Sequence, residues 1–115
     1  MEYVKHENTW PWGRSIYIIL SDGTGLVMVQ LYDDEPEVGY INNLSVYINN
    51  RRKGIGKFLL HEAEKIAKEN NISKIKLHCE KNSFAKDWYI REGYKNTGKI
   101  FIGEYASALE LEKDI

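Results

Sequence analysis

The hydrophobic positions in the first half of the chain form short runs, which is typical of β-strands. Turn residues separate these runs: a serine- and glycine-containing stretch at residues 21–25 and an acidic stretch ending in proline at residues 33–36. Gly39 interrupts the third run and predicts a bulge there. Residues 1–15 show no clear period. The pattern therefore predicts an antiparallel meander of three strands, at residues 16–20, 26–32 and 38–47.

The spacing of apolar residues changes to three or four from Ile55 onward, as on one face of a helix. This face runs through residues 55–67, and two asparagines at positions 70 and 71 end the helix. Apolar residues at positions 75, 77 and 79 then alternate with polar ones and predict a fourth strand. A short second helix follows, capped by Asn82 or Ser83 and ended by Gly93. Two further β-like runs lie at residues 99–102 and 106–112.

The predicted order of elements is β-β-β-α-β-α-β-β. A helix joins the third strand to the fourth, so these two strands are expected to run parallel, whereas hairpins make the flanking strands antiparallel. The fold class is therefore α/β in the broad sense (α+β), with a mixed, mostly antiparallel sheet and helices packed on it. The chain has 115 residues, enough for one domain, which we assign to residues 1–115.

Composition narrows the class of protein. Hydrophobic residues make up 43% and charged residues 29%, an ordinary globular mixture. The 16 basic and 17 acidic residues nearly cancel, which argues against broad nucleic-acid binding. No apolar run could span a membrane, and the first residues carry no apolar signal core. The single cysteine, Cys79, can form neither an internal disulfide nor a zinc cluster. We therefore expect a cytoplasmic protein without a metal site or a membrane partner.

A basic, glycine-rich segment lies between the third strand and the first helix. The first turn of a helix has unpaired backbone N–H groups and the positive end of the helix dipole, and glycines let an anion approach them closely. The dinucleotide pattern G-x-G-x-x-G fails at Leu59, and the Walker A pattern fails because Phe58 follows the lysine. The segment predicts a phosphate or pyrophosphate site, with a solvated basic loop as the alternative. Its residues are Arg51, Arg52, Lys53, Gly54, Ile55, Gly56 and Lys57.

Three motifs in a fixed order carry a resemblance to a known family. The basic segment contains the pattern R-x-x-G-x-G, and an L-x-V strand precedes it. The second short helix contains N-x-x-A-x-x-x-Y and is followed by Gly-Tyr. Over roughly residues 16–112 the chain thus resembles the GNAT superfamily of acetyl-CoA-dependent N-acetyltransferases. The residues that carry the resemblance are Leu44, Val46, Arg51, Gly54, Gly56, Asn82, Ala85, Tyr89, Gly93 and Tyr94.

The resemblance implies that the third and fourth predicted strands splay apart and hold the pantetheine arm of acetyl-CoA between them. It implies backbone contacts from Leu44 and Val46, a pyrophosphate on the basic segment, and a cofactor contact from Asn82. Tyr89 matches the tyrosine that protonates the departing CoA thiolate, with a packing role on its helix as the alternative. The implied reaction transfers an acetyl group to a primary amine whose identity the sequence does not name.

The sequence departs from the family where many members carry a glutamate as general base. Residues 40–43 contain no carboxylate. Three alternatives stay open: an asparagine of this stretch orients a water molecule, the amine arrives already neutral, or Glu37, His78 or Glu80 acts as the base. For His78 the alternative is a structural role on its strand. Two other functions stay open: a GNAT-like module that binds CoA without turnover, and a nucleotide-binding regulatory domain. Trp10 and Trp12 either pack on their own sheet or form the contact of a homodimer.

Overall fold

The computed structural model describes residues 1–47, 54–103 and 107–115. Within these ranges the chain forms seven strands and two helices. The strands are β1 (Tyr3–Trp10), β2 (Gly13–Leu20), β3 (Gly25–Tyr32), β4 (Val38–Val46), β5 (Lys74–Glu80), β6 (Lys95–Ile102) and β7 (Ser107–Asp114), and the helices are α1 (Ile55–Glu69) and α2 (Phe84–Arg91). Neither of these helices is long and apolar enough to cross a membrane.

The strands form a single sheet in the order β1-β2-β3-β4-β5-β7-β6. β1 to β4 are a meander of antiparallel neighbours, and β7 lies antiparallel between β5 and β6. β4 and β5 run parallel because α1 connects them. This mixed, mostly antiparallel sheet with packed helices confirms the predicted fold class.

β1 is a strand that the sequence pattern does not predict. It lies at the edge of the sheet, and most of its side chains are exposed. An edge strand of this kind has no apolar face to bury, so no alternation marks it in the sequence. The order of elements is therefore corrected to four strands before α1 rather than three.

The bulge lies in β4 at Asn43, not at Gly39 as the sequence suggests. Pairing shifts between Leu26 and Met28 of β3, where β4 carries one extra residue, and Asn43 there has a left-handed φ of 56°. Gly39 instead permits close packing, because an added Cβ would lie 3.3 Å from Ile75 Cδ1. A bulge bends its strand, and this one lies three residues past Tyr40, the last residue of β4 that pairs with β5.

The hydrophobic core lies between one face of the sheet and the two helices. α1 packs on β3 and β4 and buries its apolar side. α2 adds Trp88 and Tyr89 to the same cluster, so both helices cover the same face. We call the opposite face, which no helix of the described residues covers, the helix-free face. The fully buried side chains of the core include Ile18, Val27, Val29, Leu59, Leu60, Ala63, Ile75 and Leu111.

A buried polar cluster ties α1 to the end of the sheet. The Tyr94 hydroxyl donates a hydrogen bond to Glu64 Oε2 at 2.7 Å, and Lys113 Nζ lies 3.1 Å from the same oxygen. Tyr94 is only 1% exposed. Burial, together with the Glu64 carboxylate, raises the pKa of Tyr94 well above its usual value. The cluster therefore holds the Tyr94 phenol in its neutral form.

The tryptophans Trp10 and Trp12 contact their own sheet and each other at the hairpin between β1 and β2. Trp10 Nε1 donates a hydrogen bond to Ser15 Oγ at 3.0 Å, and its ring stacks on Trp12. Trp12 in turn packs against Tyr32, with ring centroids 4.9 Å apart. Both indoles nevertheless remain exposed, at 43% and 39%. The homodimer therefore stays a prediction.

Candidate active site

A cleft opens between β4 and β5, which pair only at their first residues. The parallel ladder joins Val38–Tyr40 to Lys74–Lys76 and extends no further in the described chain. Beyond it the strands separate around a cavity of about 530 Å³, which confirms the predicted splayed pair. The lining residues are Ile41, Asn42, Asn43, Leu44, Leu77, His78, Cys79, Glu80, Ser83, Ala85 and Tyr89.

The walls of this cleft are strand edges. Past Tyr40, the edge of β4 that faces β5 has no strand neighbour among the residues the structure describes. Such an edge can hydrogen-bond an extended, amide-containing chain as an added strand. Leu44 lies on this wall and packs partly against the core, as Val46 does closer to the end of β4. The backbone of both predicted residues thus belongs to the strand that borders the cleft.

The glycine turn lies at the start of α1, just beyond the end of β4. Gly54 is the N-cap residue with a left-handed φ of 78°, and no side chain caps the helix. The first turn of α1 contains no acidic residue. Backbone N–H groups of Ile55 and Gly56 belong to this turn, and Ile55 itself anchors it in the core at 8% exposure. The turn therefore presents a positive helix end without a carboxylate of its own.

Gly56 is not required by packing within the protein. A Cβ added there would lie 3.8 Å from both Val46 Cγ2 and Trp88 Cζ2, which is ordinary contact. Lys57, the next residue, is well exposed, with its Nζ 3.9 Å from Glu92 Oε2. The predicted residues Arg51, Arg52 and Lys53 lie outside the described residues.

The turn that leads into α2 places Ser83 in the lining of the cleft. Ser83 is the N-cap, because its Oγ accepts a hydrogen bond from the Lys86 N–H at 3.1 Å. The same hydroxyl donates to the Glu80 carbonyl at 2.8 Å, which links the cap to the end of β5. Asn82 lies exposed in this turn and does not line the cavity. Of the two predicted caps, Ser83 is therefore the one used.

Tyr89 projects from α2 into the cleft between two other aromatic side chains. Its ring meets Trp88 at 5.0 Å and Tyr94 at 5.7 Å, both edge to face. Burial first, and then the neighbouring Cys79, raises the pKa of Tyr89 to about 12. No described group hydrogen-bonds its hydroxyl, and that oxygen is not sealed from solvent. Tyr89 therefore offers a protonated donor to whatever occupies the cleft.

Cys79 also lines the cleft, next to Tyr89. Burial raises the pKa of the Cys79 thiol, and a thiol is a poor nucleophile until it ionises. Cys79 packs partly against the hydrophobic core. Its environment favours a packing role over a nucleophilic one.

His78 and Glu80 line the cleft, whereas Glu37 lies outside it. His78 Nε2 is 3.6 Å from Glu110 Oε2 of β7. Glu110 is only 5% exposed and is a partner that the sequence does not reveal. It lies in an alternating run of β7 like any other polar position, and only the pairing of β5 with β7 brings it beside His78.

Sequence comparison with known proteins identifies relatives of this chain. The family model described as "Acetyltransferase (GNAT) family" matches residues 2–94. GCN5-related N-acetyltransferase 4, chloroplastic, of Arabidopsis thaliana is 38% identical over 60 residues, which cover 51% of this chain and 21% of that protein. Glucosamine 6-phosphate N-acetyltransferase of Candida albicans is 26% identical over 107 residues, which cover 84% of this chain and 70% of that protein.

A solved structure extends the comparison to the fold. The crystal structure of an acetyltransferase from Bacillus cereus has a TM-score of 0.70 and 26% identity, covering 96% of this chain and 74% of that one. The chain spans only about a fifth of the length of the plant relative. The family match nevertheless covers most of the chain, from the residue before β1 to Tyr94, three residues after α2. The protein therefore belongs to the GNAT acetyltransferase family.

Proposed function

We propose that this protein transfers an acetyl group from acetyl-CoA to a primary amine. The observation that carries the proposal is the β4–β5 cleft with the Tyr89 hydroxyl in its wall and the uncapped α1 turn beyond its end. Family membership and relatives named as N-acetyltransferases support it. A module that binds CoA without turnover is less favoured, because it gives no reason for an unbonded phenol inside the cleft.

The shape and charge of the cleft suit CoA. The pantetheine arm carries two amides, which can bond to a strand edge such as the backbone at Leu44. We assign Val46 to the cofactor site on the resemblance of the sequence. The pyrophosphate then meets the turn of Gly54, Ile55 and Gly56, where an anion gains from free N–H groups and the helix dipole. Lys57 adds a positive charge at the surface of that turn. We also assign Arg51, Arg52, Lys53 and Asn82 to the cofactor site, on the resemblance of the sequence alone.

The chemistry requires that a thiolate can leave as the amine attacks the thioester carbonyl. A free thiol has a pKa near 8.5, whereas burial raises the pKa of Tyr89 to about 12. Full proton transfer from the phenol to the thiolate would thus cost about 5 kcal/mol. Tyr89 is therefore better suited to stabilise the thiolate by donating a hydrogen bond, while water supplies the final proton.

The proposal is tested by calorimetry with CoA and by acetyl transfer over a panel of amine classes, detected by mass spectrometry. We expect CoA to bind, ATP not to displace it, and at least one amine class to be acetylated. Displacement by ATP would favour the nucleotide-binding alternative. CoA binding without acetylation of any amine would favour the binding module. Absence of CoA binding would remove the phosphate assignment altogether.

A further inference from the structure

We propose that His78, positioned by Glu110, is the general base that accepts the proton of the attacking amine. The proposal rests on the proposed function, because it concerns the same cleft and the same reaction. Neither the family model nor the named relatives assign this role to a residue of the chain.

The alternation of β5 places His78 on the side of the cleft opposite Tyr89. Cys79 faces the helices, where it packs partly against the core beside Tyr89. His78 directly precedes Cys79 in the strand, so its side chain points to the opposite, helix-free face. Both His78 and Tyr89 line the same cavity. A thioester held between them would present its sulfur to Tyr89 and its carbonyl carbon to an amine arriving from the helix-free face.

Glu110 lies where it can orient the imidazole ring of His78. Its carboxylate is buried, and Oε2 lies 3.6 Å from His78 Nε2. The second oxygen is fixed by the Thr97 hydroxyl, which donates to Oε1 at 3.2 Å. Lys76 Nζ lies 3.8 Å from the same Oε1 and compensates part of the buried charge. With Nε2 turned to this carboxylate, Nδ1 is the nitrogen that is left to accept a proton.

Two aromatic rings lie beside the imidazole of His78. Phe101 of β6 lies 4.3 Å from the His78 ring, and Tyr40 of β4 lies 6.4 Å from it. The Tyr40 hydroxyl is itself bonded to Glu35, so it does not compete for the imidazole nitrogens. The titratable and charged groups around His78 are Glu110 on β7, Tyr40 on β4, Lys76 and Glu80 on its own strand, and Lys99 on β6 over the Phe101 ring.

The proposed step balances in atoms and charge. The neutral amine forms a C–N bond with the thioester carbonyl carbon, and its nitrogen gives one proton to His78. The C–S bond then breaks, and the thiolate leaves with the electron pair, hydrogen-bonded by Tyr89. The thiolate takes a proton from water, and the imidazolium returns its proton to water. The net reaction converts an amine and acetyl-CoA to an N-acetyl amine and CoA.

The test compares three variants with the unmodified chain, using acetyl-CoA and the best amine of the panel. His78→Gln keeps a polar side chain that does not exchange a proton, and Glu110→Gln removes only the charge. His61→Gln is the matched control, because His61 Nε2 lies 3.2 Å from a glutamate, Glu92, outside the cleft. Each variant is measured for kcat, for kcat/KM as a function of pH, and for CoA affinity by calorimetry.

We expect His78→Gln to lower kcat by about 10²–10⁴-fold, the usual contribution of general base catalysis, without changing CoA affinity. The acidic limb of the pH profile should disappear in this variant. Glu110→Gln should also lower kcat without changing CoA affinity, because the imidazole loses the carboxylate that orients it. His61→Gln should match the unmodified chain in all three measurements.

A merely structural role is separated by chemical rescue. In His78→Ala, added imidazole should restore turnover in proportion to its concentration, whereas a packing defect would not respond. The proposal would be overturned if His78→Gln kept full turnover and the pH profile of the unmodified chain. It would also be overturned if imidazole failed to rescue a folded His78→Ala variant. Either result would leave the proposed acetyl transfer intact. An unmodified chain that acetylates no amine would overturn both.

Discussion

Gly56→Ala separates the stability of the fold from the binding of CoA, because the two should change in opposite directions. An added Cβ meets Val46 and Trp88 at ordinary contact distance, and Gly56 has no left-handed φ. Alanine also loses less backbone freedom in a helix than glycine does. We therefore expect stabilisation of about 0.4–1 kcal/mol and a Tm raised by about 2–4 °C.

The same methyl group should obstruct the pyrophosphate. If it prevents even one N–H donor of the turn from reaching a charged oxygen, the loss is about 1.5–3 kcal/mol. CoA affinity should then fall by about 10–150-fold. Calorimetry with CoA and thermal unfolding of the same sample measure both quantities.

Gly23→Ala is the control for this experiment. Gly23 lies in the β2–β3 turn with a left-handed φ of 76° and open space around it. The substitution should destabilise the fold by about 1–2 kcal/mol while leaving CoA affinity unchanged. A Gly56→Ala variant that is more stable and binds CoA as tightly as the unmodified chain would refute the placement of the pyrophosphate.

We expect four further outcomes. Tyr89→Phe should lower kcat by about 10–150-fold, which corresponds to the free energy of one hydrogen bond to a charged group. CoA affinity and Tm should stay unchanged. Full turnover in steady-state kinetics would show that Tyr89 is a packing residue. Lys57→Ala should weaken CoA binding at low salt, and the deficit should shrink in about 1 M salt; a deficit that salt leaves intact would contradict an exposed charge contact. Because the pKa of Tyr94 is raised in the folded protein, Tyr94 ionises at lower pH in the unfolded chain. The contribution of Tyr94 to the free energy of unfolding is therefore present below about pH 10 and is lost as pH rises further. Denaturant titrations should show this alkaline loss of stability, and the loss should be smaller in Tyr94→Phe. Sedimentation velocity at micromolar concentration should show a homodimer, and a monomer at every concentration would contradict it.

The sequence predicts those elements whose side chains bury one face. β2, β3 and β4 are recognised because their apolar residues form short runs between turn residues, and α1 because its apolar residues repeat at the helical period. β6 is recognised only in its last residues, since all its side chains are exposed. The assignment of residues 1–115 to one domain stays a prediction. Visible periodicity thus depends on burial, and the edges of a sheet lack it.

The candidate site divides in the same way between local and distant features. The glycine turn and Tyr89 belong to short motifs, so the sequence contains their spacing in full. The partnership of His78 with Glu110 depends on β5 pairing with β7, which no local pattern encodes. The bulge at Asn43 likewise depends on the register between β3 and β4. Register is a property of two strands together, and a single run of residues does not specify it.

The position of β7 has a consequence for how the molecule is made. β7 follows β6 in the chain but lies between β5 and β6 in the sheet. During synthesis, β1 to β4 can pair as successive hairpins, because each partner has just left the ribosome. β5 has only its short parallel ladder with β4 until residues 107–114 emerge, and such distant pairings form slowly. The wall of the cleft that holds His78 is therefore expected to be the last to form, and a nascent chain stalled before β7 would expose β5 to aggregation.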